Sequence, residues 1–202
     1  MQVRTIPYEQ VDSVVDTLCE AFYHYPVMRY VIGEAAEEFD RHYWRLIRLF
    51  VMGRVMSEEP LLGIGESTQL EAAAAVSLPD TEGISEELTE YRRATWARLE
   101  PAAKARYDAF CDACAKFEVD APHHHLNMVG VRQAHQGKGH ARSLIEYVEQ
   151  LSRRHPRSRG VSLSTEAAAN VPFYEHLGFE LTGHAEVGPG LETWNFFKPV
   201  HG

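Results

Sequence analysis

Cysteine is scarce in this 202-residue chain: three residues, an odd number. That argues against a disulfide framework and for a reduced, cytoplasmic protein. Long apolar runs are missing, and none approaches the roughly 20 residues needed to span a bilayer, so no membrane partner is expected. The opening residues, Met1 to Gln10, lack the basic-then-apolar pattern of a secretory signal. Excess positive charge is missing as well, since 20 Lys and Arg stand against 29 Asp and Glu, a formal net charge of -9. Nucleic-acid binders need a basic footprint to displace counterions, so nucleic acid is not the expected partner. A negative field suits cationic ligands, and an anion could bind only where basic residues cluster locally. Repeats, low-complexity tracts and an obvious linker are absent.

What is present is the balance of an ordinary soluble protein, 45% hydrophobic and 24% charged. One domain spanning residues 1–202 can bury its own core. Residues 2–6 read as a short strand. Val11, Val14, Val15, Leu18, Cys19 and Phe22 recur at helical spacing, which predicts an amphipathic helix over 8–23. "HYPVMRYVIG" reads as a turn-containing link, and a second helix runs from Phe39 to beyond Val55. "PLLGIGES" and "TQLEAAAAVSLP" predict a hairpin with its turn at "STQ", although alanine favours helices over strands. Residues 80–120 open on "DTEGISEELTE", with five acidic and no basic residues. Two helices follow, around 85–99 and 102–118, and the segment reads as a helical insertion.

The last third alternates cleanly. "HHLNMVGV" is a strand, "GHARSLIEYVEQLSRRH" a helix, "GVSLST" a strand and "NVPFYEHLG" a short helix. Asn170 is placed to cap that short helix, with Pro172 in its first turn and Gly178 past its end. A strand pair around "GPG" closes the sequence. Strand-helix-strand implies neighbouring parallel strands with a crossover helix inside a mixed sheet.

Chemistry concentrates at Gln136-Gly137-Lys138-Gly139-His140-Ala141, between a strand and a helix. The first turn of a helix leaves N–H groups unpaired, its dipole adds positive charge, and glycine allows a sharp bend and close approach. With Lys138 and Arg142 nearby, this could form a site for a diphosphate-sized anion. The Walker A pattern fails, because Gly139 follows Gly137-Lys138 and Arg132 stands where its first glycine belongs. The dinucleotide fingerprint fails at Arg142. Spacing alone leaves an anion site and a plain structural turn both open.

The stretch Gln136 to Ala141 resembles the Q/R-x-x-G-x-G/A signature of the GNAT superfamily of acyl-CoA-dependent N-acetyltransferases. "NVPFYEHLGF" is similar to its second hallmark, a tyrosine-bearing helix ending in L-G-F. "VGVRQAHQGKG", "NVPFYEHLGF" and "GPGLETW" are most similar to puromycin N-acetyltransferase-like members. Two departures stand out: His140 replaces a bulky aliphatic and is expected to face solvent or a phosphate, and Asn170 lies closer to Tyr174 than in many members. The resemblance covers residues 123–200 best and leaves residues 24–120 unmatched to any substrate.

The resemblance implies an α/β (α+β) fold, with a mixed, mostly antiparallel sheet flanked by helices and the insertion before the cofactor-binding strand. It implies acetyl-CoA as co-substrate, bound by Val129, Gly130, Val131, Gln136, Gly137, Lys138, Gly139, His140, Ala141, Arg142 and Asn170. It implies direct attack by the primary amine of a small molecule, main-chain donors at Val129–Val131 for the oxyanion, and Tyr174 as general acid. The general base stays open among Glu71, Glu118, His123, His124 and His125. An alternative is a catalytically inactive module that binds acyl-CoA for regulation. The chain is expected to be a monomer or homodimer without a metal. Cys111 and Cys114 with the three histidines make only a weak zinc pattern, lacking a second C-x-x-C.

Overall fold

A computed structural model describes residues 2–33, 37–66, 69–79 and 83–200. The chain forms β1 (Arg4–Thr5), α1 (Val11–Phe22), α2 (Pro26–Ile32), α3 (Phe39–Met56), β2 (Leu61–Glu66) and β3 (Gln69–Ser77). The insertion supplies α4 (Glu86–Trp96) and α5 (Ala103–Ala115). The rest is β4 (His124–Val131), α6 (His140–Arg154), β5 (Gly160–Thr165), α7 (Val171–His176), β6 (Glu180–Gly188) and β7 (Leu191–Pro199). One seven-stranded sheet has the order β1-β2-β3-β4-β5-β7-β6. Among the described residues its neighbours are antiparallel except β4 and β5, which the α6 crossover makes parallel.

The four alanines of β3 explain how helices cover both faces. Side chains alternate along a strand. Ala73 and Ala75 accordingly join the core beneath α1, α2 and α3, while Ala72 and Ala74 join the core beneath α6 and α7. A methyl on each face keeps both helix layers close to the central strand. Burial overrides alanine's weak strand propensity here.

The strands and helices predicted for the last third are present, and so is the hairpin of β2 and β3. Ser67 and Thr68 of its turn, like Asp80, Thr81 and Glu82 of the acidic run, lie outside the described residues. The segment read as a link contains α2 instead. Pro26 sits in its first turn, where a missing N–H costs nothing, and Val27, Met28, Val31 and Ile32 bury one face. The first strand is only Arg4–Thr5.

The insertion docks by specific bonds. The Ser85 hydroxyl accepts from the Leu88 N–H at 3.1 Å and caps α4. Arg106 of α5 donates to the carbonyls of Val31 and Ile32 at 2.9 and 2.8 Å, satisfying the open end of α2. Its guanidinium also pairs with Glu100.

Gly130 is where α1 crosses β4. A Cβ there would lie 2.7 Å from the Ala21 Cβ and 3.0 Å from the Leu18 Cδ2. Gly130→Ala should therefore push α1 off the sheet and cost about 1–3 kcal/mol. Urea unfolding would show this as a lower midpoint at unchanged slope.

Candidate active site

β4 and β5 pair only through His124 with Val161 and His125 with Ser162. Beyond that point β4 pairs only with β3, and β5 only with β7. A register shift opposite Ala75 and Val76 leaves Asn127 as an extra residue in β4, and such bulges bend and twist a strand. The two strands splay, and the main-chain groups facing the gap have no strand partner. A cavity of about 670 Å³ opens there. β4 contributes His125 to Val129, β5 contributes Leu163 and Ser164, and beyond it come Glu166, Asn170 and Tyr174. The cavity continues to α3 and the insertion helices.

At the far end of β4 lies the glycine turn. Gly137 and Gly139 have φ of 74° and 82°, in the left-handed region that favours glycine. Gly139 precedes α6, and the main-chain N–H groups of Gly139, His140, Ala141 and Arg142 bond to no described residue. A Cβ added at Gly137 or Gly139 would meet nothing within 4 Å, so space beside the turn is open. Lys138 and Arg142 are exposed beside it. This arrangement fits a polyphosphate. Gln136 donates to the Val131 carbonyl at 3.5 Å.

His140 departs from expectation. Its side chain is buried and meets the Glu71 carboxylate at 2.8 Å, with His135 on the same oxygen at 3.0 Å. The reason lies in the fold: the first residue of α6 turns inward over β3. Any role for His140 at an anion therefore falls to its main-chain N–H. Burial raises the Glu71 carboxyl, but the neighbouring His135 and His140 outweigh it and hold it below the usual range. Ligand atoms of Glu71, His135 and His140 lie within 4.8 Å of one another. Hydrogen bonds within the cluster tie the glycine turn to β3.

Tyr174 is buried against Phe173, Phe179 and Phe196, and it lines the cavity. Burial, reinforced by the charge of Glu166, pushes its phenol up to about 12, so it keeps its proton at neutral pH. Asn170 does not cap α7. A preceding single 3-10 turn leaves it in helical conformation, and its side chain donates to the Thr165 hydroxyl at 3.1 Å. Pro172 and Gly178 sit where expected, in the first turn and at a φ of 83° past the end.

Sequence reasoning missed Glu166. It is 8% exposed, directly after β5, and reaches the cavity. The Thr193 hydroxyl donates to its carboxylate at 3.0 Å, and its own N–H donates to the Tyr25 hydroxyl at 3.0 Å. Burial pushes its carboxyl up to about 7, against hydrogen bonds from Thr193, Ser164 and Tyr25. The available signal was positional: a carboxylate immediately beyond a buried strand, just before the tyrosine helix.

Of the residues weighed as base, only His125 borders the cavity. Its Nδ1 meets the Ser162 hydroxyl at 2.7 Å, and burial, helped by His123 and Arg54, pushes it down to about 4. His124 faces Ser158 at 3.0 Å, His123 the Ala121 carbonyl at 2.6 Å, and Glu118 is exposed. Burial raises both Cys111 and Cys114, and Cys114 meets the Thr193 hydroxyl at 3.6 Å.

A carboxyl raised to about 7 binds its proton more tightly folded than unfolded. Stability should therefore fall as pH rises from the ordinary carboxylate range through 7, by roughly 3 kcal/mol from this group. Urea titrations at pH 5 and 8 should show that slope flattened in Glu166→Gln; an equal slope in both proteins would contradict the assignment.

Residues 91–181 match the model of the acetyltransferase (GNAT) domain. Solved structures agree over nearly the whole chain. A Corynebacterium glutamicum protein described as histone acetyltransferase HPA2 and related acetyltransferase is 18% identical, with 99% of this chain and 96% of that one covered and a TM-score of 0.73. The Drosophila melanogaster polyamine N-acetyltransferase, which forms N-acetylagmatine, is 17% identical over 97% of each chain, with a TM-score of 0.60. Arylalkylamine N-acetyltransferase 2 of Aedes aegypti is 17% identical over 99% of each, with a TM-score of 0.59. The chain thus has the GNAT fold, and the domain match within it supports an acyltransferase enzyme.

Proposed function

We propose that this protein is a single-domain, acetyl-CoA-dependent N-acetyltransferase acting on the primary amine of a small molecule. The observation that carries this reading is the pairing of Tyr174 and Glu166 on one cavity at the β4/β5 splay. Acetyl-CoA supplies an acyl group already activated as a thioester. Gly139 to Arg142 offer their free N–H groups to its diphosphate, helped by Lys138 and the Arg142 side chain. Gln136 braces the turn, and Val129 lines the reacting end of the cavity. Asn170 acts by holding Thr165.

Glu166, as a carboxylate, takes the proton that the attacking amine sheds while the new C–N bond forms. A base near 7 is well matched to neutral pH, whereas His125 is too weak a base and Glu71 lies outside the cavity lining. The Val129 N–H is the donor proposed for the oxyanion. Tyr174 gives its proton to the sulfur as the C–S bond breaks and regains one from solvent. Both an acid and a base on one cavity favour an enzyme over a regulatory module that only binds acyl-CoA. The similarity of "VGVRQAHQGKG", "NVPFYEHLGF" and "GPGLETW" to puromycin N-acetyltransferase-like members supports reading the chain as related to that branch.

Free-thiol release with acetyl-CoA and an amine panel tests this. Tyr174→Phe should lower kcat about 10²- to 10⁴-fold while leaving acetyl-CoA binding nearly unchanged. Unchanged kcat would remove Tyr174 from the chemistry.

The same assay carries a pH prediction. kcat should rise through about 7 as Glu166 loses its proton, and Glu166→Gln should abolish that limb. A limb that persists in Glu166→Gln would assign the base elsewhere.

A further inference from the structure

We infer that the acceptor is an arylalkyl primary amine carrying a carboxylate at the end away from its amino group, and that Arg92, with Arg54, reads that carboxylate. The inference rests on the acyl-transfer reading above and names its substrate class.

Among the described residues the cavity lining holds Arg54, Arg92, Arg93 and Lys104, and a single carboxylate, Glu166. Three of those cations have partners. Arg93 pairs with Glu90 at 2.7 Å, Lys104 with Asp108 at 2.6 Å, and Arg54 with Glu59 at 2.7 Å. Arg92 forms no hydrogen bond or ion pair among the described residues. It lies close enough to Arg54 for the two charges to oppose each other. Among the described residues one carboxylate, Glu59, serves this pair of guanidiniums, so a second anion is favoured there.

These cations are poorly placed for the donor's phosphates. Arg54 bonds to the Ser77 hydroxyl, which donates to Asn127 at 2.9 Å, early in β4. The glycine turn follows Val131, four residues further along and so about 13 Å away along the strand. Arg54 and Arg92 belong to the part of the cavity walled by α3 and α4.

The surrounding wall is aromatic. Tyr107 lies 5.3 Å from Phe50 and 5.1 Å from Trp96, ring centre to ring centre, and Phe110 continues the face. These rings suit an apolar, flat body between the amine and the carboxylate. A polyamine or guanidino amine would instead press a second cation against Arg92 and Arg54.

The test uses the full chain with acetyl-CoA and three amines: 4-(2-aminoethyl)benzoate, its neutral methyl ester and agmatine. The acid should exceed the ester in kcat/KM by at least about tenfold, chiefly through KM. That ratio should approach one in Arg92→Ala, survive in part in Arg92→Lys and invert in Arg92→Glu. In parallel, 4-ethylbenzoate, which has no amine to acetylate, should bind the wild type by calorimetry and bind Arg92→Ala at least about tenfold more weakly. Equal rates for acid and ester, preference for agmatine, or a ratio unmoved by Arg92→Ala would overturn the inference. Arg92-dependent binding of 4-ethylbenzoate without turnover of any amine would support the anion site and sink the acetyltransferase reading. Turnover without discrimination would do the reverse, and neither binding nor turnover would sink both.

Discussion

Everything at the candidate site depends on how briefly β4 and β5 hold together. Two residue pairs join them, after which each strand is held by an antiparallel neighbour on its outer side. A gap inside a sheet is ordinarily costly, because it strands N–H and C=O groups. This gap persists because both lips are fixed from behind, β4 by β3 and β5 by β7. Helices on both faces bury apolar cores that anchor the lips. The extra residue at Asn127 adds twist where separation begins. The cavity is thus a rigid consequence of strand order, and the groups around it are presented by strand ends.

Net charge and local charge are separate properties of this protein. A formal value of -9 suits cationic ligands, while among the described residues the cavity lining holds four cations and one carboxylate, three of the cations being paired with acids outside that lining. The acidic residues sit largely on solvated faces, where water and salt screen them. Inside a walled cavity the same charges act at lower effective dielectric. Arg54 and Arg92 come from α3 and α4, far apart in sequence, and only packing of the insertion brings them together. No window of the sequence contains that pairing.

What was legible follows the same division. α6 and α7 were readable because their signals are local: apolar spacing at Leu144, Ile145 and Val148, Pro172 in a first turn, and Gly178 past an end. The glycine turn was readable for the same reason, as a strand-to-helix junction with exposed cations. Asn170 misled, since the 3-10 turn before α7 left it in helical conformation and Thr165 claimed its side chain. His140 misled because its carboxylate partner, the half-buried Glu71, comes from a strand that pairs with β4 only in three dimensions. α2 was missed because seven residues carry too little periodicity to stand out from a link.

Glu166, the proposed base, shows why a buried carboxyl escapes a reading of motifs and why a fold keeps one. At neutral pH its burial works against stability, because water would solvate the carboxylate better than the cavity wall does. Replacing it with an apolar residue would remove that cost. It would also take away the carboxylate that accepts from the Thr193 hydroxyl, leaving that hydroxyl the more distant Cys114 sulfur, while the main-chain bond from the Glu166 N–H to Tyr25 would stay. Thr193 comes from β7 and Tyr25 from the start of α2, one holding the carboxylate and the other the main chain, so three separate segments meet at one residue. Such convergence keeps an expensive group in a fixed place. In the proposed role of base, a carboxyl raised to about 7 gains from that fixity what the fold loses in stability, and the tension is the one expected of a site built for proton transfer.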